Sequence, residues 1–272
     1  MNGVTTPQAA AGAPQRPRVL LVDDDPLMRR MVALVLEVID LELIVCASVA
    51  QARETLRQAP VQLLITDLMM PVESGEVLLS ELQADPALRA GARLVVFSAG
   101  LDARARARLQ ALGVWRLLDK PIGVQALEDC VREALGLQAA PGGLVDTALA
   151  PGAAGRARDL PLSAAETAAV QRHFAGSADL FFNYRETCRQ QFADDLGVGD
   201  QALQAGDGPA LRRLAHNLKS VLRMLGAEAA AAHADALEGA ALRADWPAAG
   251  TGWQAVRAAI QYPGGPPQRE SK

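Results

Sequence analysis

Acidic side chains directly follow a short apolar run at two places in the first half of this 272-residue chain. Asp23, Asp24 and Asp25 follow the first run, and Asp67 follows the third. Carboxylates packed together repel one another and cannot all stay ionised unless a cation compensates their charge. Oxygen ligands at this density suit Mg²⁺. The pattern predicts a magnesium site, provided that the fold brings the two places together.

Two further polar side chains stand at the ends of later apolar runs. Ser98 ends the fourth run, and Lys120 closely follows the fifth. With Mg²⁺, a hydroxyl and an ammonium group would form the electrostatic clamp that phosphoryl transfer requires, with the phosphoryl group on Asp67. Each residue alone has an ordinary explanation, since an aspartate after a strand often caps the next helix, as Asp25 before Pro26 is placed to do. The prediction depends on their joint placement at four strand ends.

A histidine in the second half of the chain stands in a different setting. Around His216, leucines recur at three- and four-residue spacing, which is typical of the buried face of a helix. His216 lies about 200° around the helix from its nearest leucines, so we expect an exposed imidazole. Lys219, Ser220 and Arg223 share its face. The two cations would suit an anion such as phosphate on the ring, and the small Ser220 would let a partner approach. The alternative is a solvated helix face that happens to carry a histidine.

The elements that must position the first group are strands alternating with helices between residues 18 and 138. Such alternation indicates a parallel sheet covered by helices on both faces, with ligands bound beyond the carboxyl ends of the strands. All the polar strand ends would then meet at one edge. The pattern predicts strands over 18–22, 43–47, 61–66, 93–97 and 114–118, and helices over 26–40, 50–58, 75–83, 102–112 and 124–135.

The second compact segment, residues 161–262, has no strand pattern. Short loops between amphipathic helices predict an antiparallel four-helix bundle. The fold class is therefore an α/β domain with a five-stranded, doubly wound parallel sheet, followed by an all-α four-helix bundle. The helices are predicted over 163–175, 179–196, 209–225, 228–242 and 253–261, with Gly197, Gly199, Gly206 and Gly208 separating them.

Stretches rich in alanine, glycine and proline separate and flank the two segments. They predict a flexible tail over residues 1–17, a flexible linker over 139–160 and a second tail over 263–272.

Composition excludes several functional classes. The net charge of −4 offers no basic field for nucleic acid, and residues 161–262 contain no basic recognition helix, which disfavours a DNA-binding regulator. The longest apolar stretch, residues 31–46, is broken by three acidic residues and is unsuited to crossing a membrane. No secretion signal is visible at the N-terminus, and three widely spaced cysteines indicate neither disulfides nor a zinc site. We expect a cytoplasmic protein without nucleic-acid or membrane partners.

Residues 18–138 resemble the CheY-like receiver domain of response regulators. The resemblance is carried by Val22-Asp23-Asp24, by Asp67-Leu-Met-Met-Pro71 followed by Gly75, by Ser98-Ala99 and by Lys120-Pro121. It implies that Asp67 accepts a phosphoryl group from a phosphohistidine of a histidine kinase. It also implies that Asp23, Asp24, Asp67 and the Met69 carbonyl hold Mg²⁺, and that Ser98 and Lys120 bind the phosphoryl oxygens and report its presence.

The chain departs from the receiver pattern at one position. Leu117 stands three residues before the lysine, where receivers usually carry the tyrosine or phenylalanine whose rotation reads out phosphorylation. The phosphorylation chemistry is expected to survive this change, but the aromatic readout is in doubt.

The second segment resembles the histidine phosphotransfer (Hpt) domain. The resemblance is carried by Ala215-His216-Asn217-Leu218-Lys219-Ser220, then Leu225-Gly226-Ala227 and Leu237-Glu238. It implies a four-helix bundle in which His216 carries a phosphoryl group and Lys219 supports it electrostatically. Ser220 replaces the family's usual glycine, a mild change. The sequence shows no ATP-binding glycine loop, so we expect a phosphotransfer protein rather than an ATP-using kinase.

Two functional hypotheses follow from these resemblances. In the first, a histidine kinase phosphorylates Asp67, and His216 carries phosphoryl groups to or from another receiver domain. In the second, the two domains serve separate pathways, and the state of Asp67 only gates the availability of His216. A phosphate sink is a variant of either hypothesis.

Overall fold

The computed structural model describes residues 16–138 and 162–261. The predicted linker over 139–160 and the predicted tails over 1–17 and 263–272 lie outside the described residues, apart from Arg16 and Pro17. The first range forms an α/β domain, and the second forms an all-α domain.

Five parallel strands form the sheet of the first domain, in the order β2-β1-β3-β4-β5. This arrangement confirms the predicted α/β fold class. The strands are β1 Arg18–Val22, β2 Glu42–Cys46, β3 Leu63–Thr66, β4 Arg93–Ser98 and β5 Arg116–Asp119. The helices are α1 Pro26–Leu36, α2 Val49–Gln58, α3 Gly75–Ala84, α4 Pro86–Arg89, α5 Ala103–Ala111 and α6 Val124–Leu135. The short α4 was not among the predicted helices; Asp85 caps it by accepting hydrogen bonds from two amides.

Helices cover both faces of this sheet, which explains why the inner strands are apolar throughout. Successive residues of β1 alternate between the faces: Val19 and Leu21 join the core that includes α1 and α6, whereas Leu20 and Val22 join the core under α2 and α3. The strand register then determines which residues lie side by side at the carboxyl edge of the sheet. Val22 is aligned with Thr66 across β1 and β3, so the aspartates that follow both residues leave the sheet side by side.

The second domain contains five helices within the described residues. They are α7 Ala164–His173, α8 Ala178–Ala205, α9 Gly208–Met224, α10 Glu228–Leu242 and α11 Trp246–Gln261. Helices α8 to α11 pack as a bundle, each against the next and α11 back against α8, and α7 packs against α9. In the described ranges, none of the helices combines the length and the apolar character needed to cross a lipid bilayer.

Helix α8 is longer than predicted, because two glycines that look like helix breaks lie inside it. The predicted end at residue 196 is wrong: α8 continues through Gly197 and Gly199 and ends at Ala205, where the capping residue Gly206 has a left-handed φ of 65°. A Cβ on Gly199 would lie 2.2 Å from the buried Trp253 ring. This glycine therefore serves close helix packing. Helix α11 likewise begins earlier than predicted, at Trp246, and places Gly252 against Leu237 of α10.

Candidate functional site

Three carboxylates meet at the carboxyl edge of the sheet. Asp23, Asp24 and Asp67 each offer one oxygen, and these three oxygens all lie within 4.8 Å of one another. Asp23 and Asp67 are buried, and Asp24 is partly buried. The structure therefore brings together the two acidic groups that are 44 residues apart in the sequence, as their places after β1 and β3 predict.

Lys120 reaches into this carboxylate group from the end of β5. Its Nζ lies 2.8 Å from Asp23 Oδ2 and 3.1 Å from Asp67 Oδ2. Burial alone would lower the pKa of Lys120, but the charges of Asp23 and Asp67 outweigh it and raise the pKa above its ordinary value. The backbone amide of Lys120 donates a hydrogen bond to the Ser98 carbonyl, which fixes the segment that carries the ammonium. Lys120 is thus held as a cation beside Asp67.

One lysine does not compensate three carboxylates. Burial, followed by the charges of Asp23 and Asp67, raises the pKa of Asp24 to about 6. Burial likewise raises the pKa of Asp23, against the opposing effect of Lys120. Asp24 Oδ1 is buried without a hydrogen-bond partner, and Asp67 Oδ2 is buried with Lys120 as its ion-pair partner. Converging carboxylate oxygens that one lysine compensates only in part are what a hard divalent cation such as Mg²⁺ requires, so these residues fit the metal.

Gly75 is needed where α3 begins beside Asp67. A Cβ at this position would lie 1.9 Å from the Asp67 carbonyl oxygen and 2.8 Å from Thr66 Oγ1. The Gly75 amide also donates a hydrogen bond to the Leu68 carbonyl. No larger residue fits without moving the backbone that carries Asp67. The glycine of the Asp67 motif therefore acts by close backbone approach.

The other predicted residues of this site lie around the same edge. Ser98 is buried at the end of β4, opposite Asp119 in the strand register. Met69 lies two residues after Asp67 in the segment between β3 and α3, and its proposed role through the carbonyl remains a prediction. Leu117, which stands three residues before Lys120, is half-buried on β5 and packs against the core under α2 and α3.

The structure corrects the predicted exposure of His216. Its side chain is 2% exposed and lies on α9 against α10, where Nδ1 is 3.0 Å from Glu238 Oε1. The helical pattern of α9 alone could not reveal this, because the covering helix is a separate element. α10 presents small buried alanines, among them Ala230 and Ala234, which let the two helices approach closely.

Glu238 also binds Lys219, so one carboxylate joins the histidine and the lysine. Lys219 Nζ donates hydrogen bonds to Glu238 Oε2 at 2.5 Å and to Asp235 Oδ1 at 2.9 Å. Burial would raise the pKa of Glu238, but the hydrogen bonds from His216 and Lys219 outweigh it and bring the pKa down to about 2. An ionised carboxylate only accepts hydrogen bonds, so Nδ1 donates in this contact. In the neutral form of the ring, this tautomer places the free lone pair on Nε2.

The remaining polar groups of this face differ in their contacts. His216 Nε2 and the Ser220 hydroxyl are buried without a hydrogen-bond partner. Arg223 is partly buried and, among the described residues, takes no part in the network around Glu238. The sequence motif contained Glu238, but no role was predicted for it, because a separation of 22 positions from His216 does not show which face of α10 meets α9.

Replacing Glu238 with glutamine is expected to destabilise the helical domain by about 1–2 kcal/mol at pH 7, since two hydrogen bonds to a charged carboxylate are weakened. The folded-state pKa of about 2 lies below the ordinary value of 4.5, so this stabilisation is present above pH 4.5 and is lost as the pH falls toward 2. Calorimetric unfolding of both proteins should show their difference shrinking over that interval.

The matched control for Glu238→Gln is Asp235→Asn, which removes the other carboxylate on Lys219. The Asp235 side chain is 59% exposed, so its ion pair should contribute little. Equal losses of stability in the two variants would contradict the special position of Glu238.

Two family models match separate parts of the chain. The model described as the response regulator receiver domain matches residues 19–132, and the model described as the Hpt domain matches residues 183–262. The first match contains every predicted site residue of the α/β domain, and the second contains His216 and Glu238.

Three individual proteins are each similar to part of this chain. The sensor histidine kinase TmoS of Ectopseudomonas mendocina is 36% identical over 140 residues, which cover 49% of this chain but only 14% of that kinase. A response regulator receiver protein from Pseudomonas putida is 30% identical with a TM-score of 0.42, over 44% of this chain and 99% of that one. The chemotaxis response regulator CheY4 of Vibrio cholerae is 21% identical with a TM-score of 0.41, over 44% and 99%.

Proposed function

We propose a phosphorelay function, from the premise that this chain joins a response regulator receiver domain to an Hpt domain. Asp67 would receive a phosphoryl group from a histidine kinase, and His216 would carry a phosphoryl group to or from another receiver domain. The proposal assigns residues 18–138 to the receiver domain and residues 161–262 to the Hpt domain. One observation carries it: a single chain holds an aspartate paired with a buried lysine and a histidine whose proton is held by a carboxylate.

In the receiver domain, Asp67 would act as the nucleophile. A carboxylate oxygen would attack the phosphorus atom of the donor phosphohistidine, while the Lys120 ammonium and the Ser98 hydroxyl face the phosphoryl oxygens. Asp23, Asp24, Asp67 and the Met69 carbonyl would hold Mg²⁺, which when bound neutralises charge on the transferred group. Phosphoryl transfer needs positioning and charge stabilisation more than covalent chemistry, and the buried Lys120 supports both.

In the Hpt domain, His216 would act through Nε2. A new phosphorus–nitrogen bond would form there as the bond between phosphorus and an aspartyl oxygen breaks, which regenerates the aspartate carboxylate. The ring then gains a positive charge while Nδ1 keeps its proton. Glu238 lies 3.0 Å from Nδ1 and would balance this charge, so no proton has to leave the site. Lys219, held by Glu238, would support the phosphoryl oxygens.

A label chase tests the proposal without knowledge of the partner kinase. The full-length protein is labelled on Asp67 with radioactive acetyl phosphate and Mg²⁺, freed of the donor, and followed over time. An aspartyl phosphate is lost in alkali, whereas a phosphohistidine is lost in acid. We expect alkali-labile label to become acid-labile label. Release of all label as inorganic phosphate, with or without a second copy carrying free His216, would contradict transfer between the two groups.

The second hypothesis, in which the domains serve separate pathways, has one structural observation in its favour. His216 Nε2 is buried, and among the described residues no hydrogen bond or ion pair joins His216 to Asp67. The arrangement is therefore not a transfer pose. The same chase separates the hypotheses, because under the second one the label would stay on Asp67 and never become acid-labile.

A further inference from the structure

Helix α1 of the receiver domain is buried around a wider arc than a sheet alone requires. At 100° a residue its buried positions span about 180°, whereas one apolar stripe of about 100° suffices to cover a sheet. Besides the sheet and α6 of its own domain, α1 packs against α8 of the Hpt domain. One cluster of buried apolar residues runs from α1 into the Hpt domain without a break. The buried residues of α1 are Leu27, Met28, Met31, Val32, Val35 and Leu36.

A second contact lies where α6 begins. A Cβ on Gly123 would lie 3.0 Å from the Arg172 carbonyl oxygen and 3.9 Å from the His173 Cα, both at the end of α7. The backbones of the two domains thus approach closely at a position that leaves little room for a side chain. Gly123 is three residues after Lys120, so this contact adjoins the phosphoryl pocket.

Two buried side chains of α8 lie in the same apolar cluster as α1. Tyr184 and Cys188, one turn apart, are fully buried, and both belong to the cluster that includes Leu27, Met28 and Met31. Burial raises the pKa of the Cys188 thiol, so this thiol reacts slowly as long as the cluster stays closed.

We propose that the two domains of one chain dock on each other and so form a closed state. The contact surfaces are α1 and the segment at Gly123, directly before α6, on the receiver side, and α7 and α8 on the Hpt side. In this state α8 covers part of α1 and α7 lies against Gly123, so two segments that adjoin the aspartate pocket are covered. Phosphoryl exchange with another protein then requires undocking. The consequence for exchange rests on the proposed function, but the docking itself does not.

Alkylation of Cys188 in the full-length protein measures docking directly. Iodoacetamide labelling is followed by peptide mass spectrometry in the wild type and in Gly123→Glu. The new Cβ cannot rotate away from the Arg172 carbonyl, so we expect Cys188 labelling to accelerate by about tenfold, since overpacking is costly. The matched control is Gly250→Glu, where no atom lies within 4 Å of the added Cβ. It should leave the rate unchanged, and equal rates in all three proteins would overturn the proposal.

Two other cysteines and a milder variant separate undocking from unfolding. Cys46 and Cys130 are buried in the receiver domain and report its unfolding. Cys188 labelling that accelerates more than theirs in Gly123→Glu supports docking, and equal acceleration of all three overturns it. Gly123→Ala, which adds only the Cβ, should accelerate Cys188 labelling less but in the same direction. Protection that increases with protein concentration would overturn docking within one chain.

The gating role has its own readout. Phosphoryl passage between Asp67 and a separate Hpt domain should rise in Gly123→Glu in proportion to Cys188 labelling. If docking weakens but passage does not change, the closed state does not gate exchange. If no passage occurs in any variant, the relay proposal fails while the Cys188 result still stands.

Discussion

Asp67→Asn is expected to reduce phosphorylation of the receiver domain to background. Asparagine keeps the shape of the side chain but supplies no anionic oxygen to attack phosphorus and weakens the metal site. Labelling with radioactive acetyl phosphate in the presence of Mg²⁺ measures the loss, and removal of Mg²⁺ with EDTA should reduce wild-type labelling in the same way. Retention of alkali-labile label in the variant would contradict the assignment of Asp67.

Asp119→Asn is the matched control for Asp67→Asn. Asp119 precedes Lys120, but its side chain is 60% exposed and pairs with Arg106 instead of joining the carboxylate group. Labelling of this variant should stay close to the wild-type level. Mg²⁺ provides a second readout: it should raise the unfolding temperature of the wild type and of Asp119→Asn, because it relieves the repulsion among the buried carboxylates. The rise should be smaller in Asp67→Asn.

His216→Gln is expected to abolish formation of the acid-labile label and its passage to any other receiver domain. Glutamine can still accept and donate hydrogen bonds near Glu238, so the bundle should fold, but it has no nucleophilic ring nitrogen. The measurement is the chase of label from Asp67, repeated with a second receiver domain in the mixture. Normal passage of label through the variant would show that His216 is not the carrier.

His233→Gln makes the same substitution on the neighbouring helix. His233 is exposed on α10, outside the network formed by Glu238 and Lys219. It should pass label at the wild-type rate. A loss of passage equal to that of His216→Gln would show that the effect depends on removing any histidine of the bundle.

The aspartate pocket could be predicted because each of its parts is local. An apolar run followed by an acidic residue specifies the end of a buried strand, and the carboxyl ends of parallel strands meet at one edge. Asp23, Asp67 and Lys120 therefore come together as predicted. Only the structure could show that Asp24 Oδ1 is buried without a hydrogen-bond partner, since burial depends on every neighbouring element.

The setting of His216 could be predicted only in part. Helical spacing correctly separated it from the leucine stripe, but the expected exposure was wrong because α10 covers that side of α9. Gly199 misled the sequence interpretation in a similar way: its lack of a side chain serves Trp253, which lies 54 residues further along the chain. Contacts between separate helices leave no periodic pattern within either helix.

The sequence by itself determined the two kinds of domain, the strand ends that carry carboxylates and lysine, and the helix that carries His216, because these features depend on local periodicity and on motifs within single elements. Only the tertiary structure decided that Glu238 holds the imidazole, that Nε2 is buried, and that α1 packs against α8. Each of these depends on how two elements far apart in the chain pack together, and packing is set by the shape and charge of both partners at once.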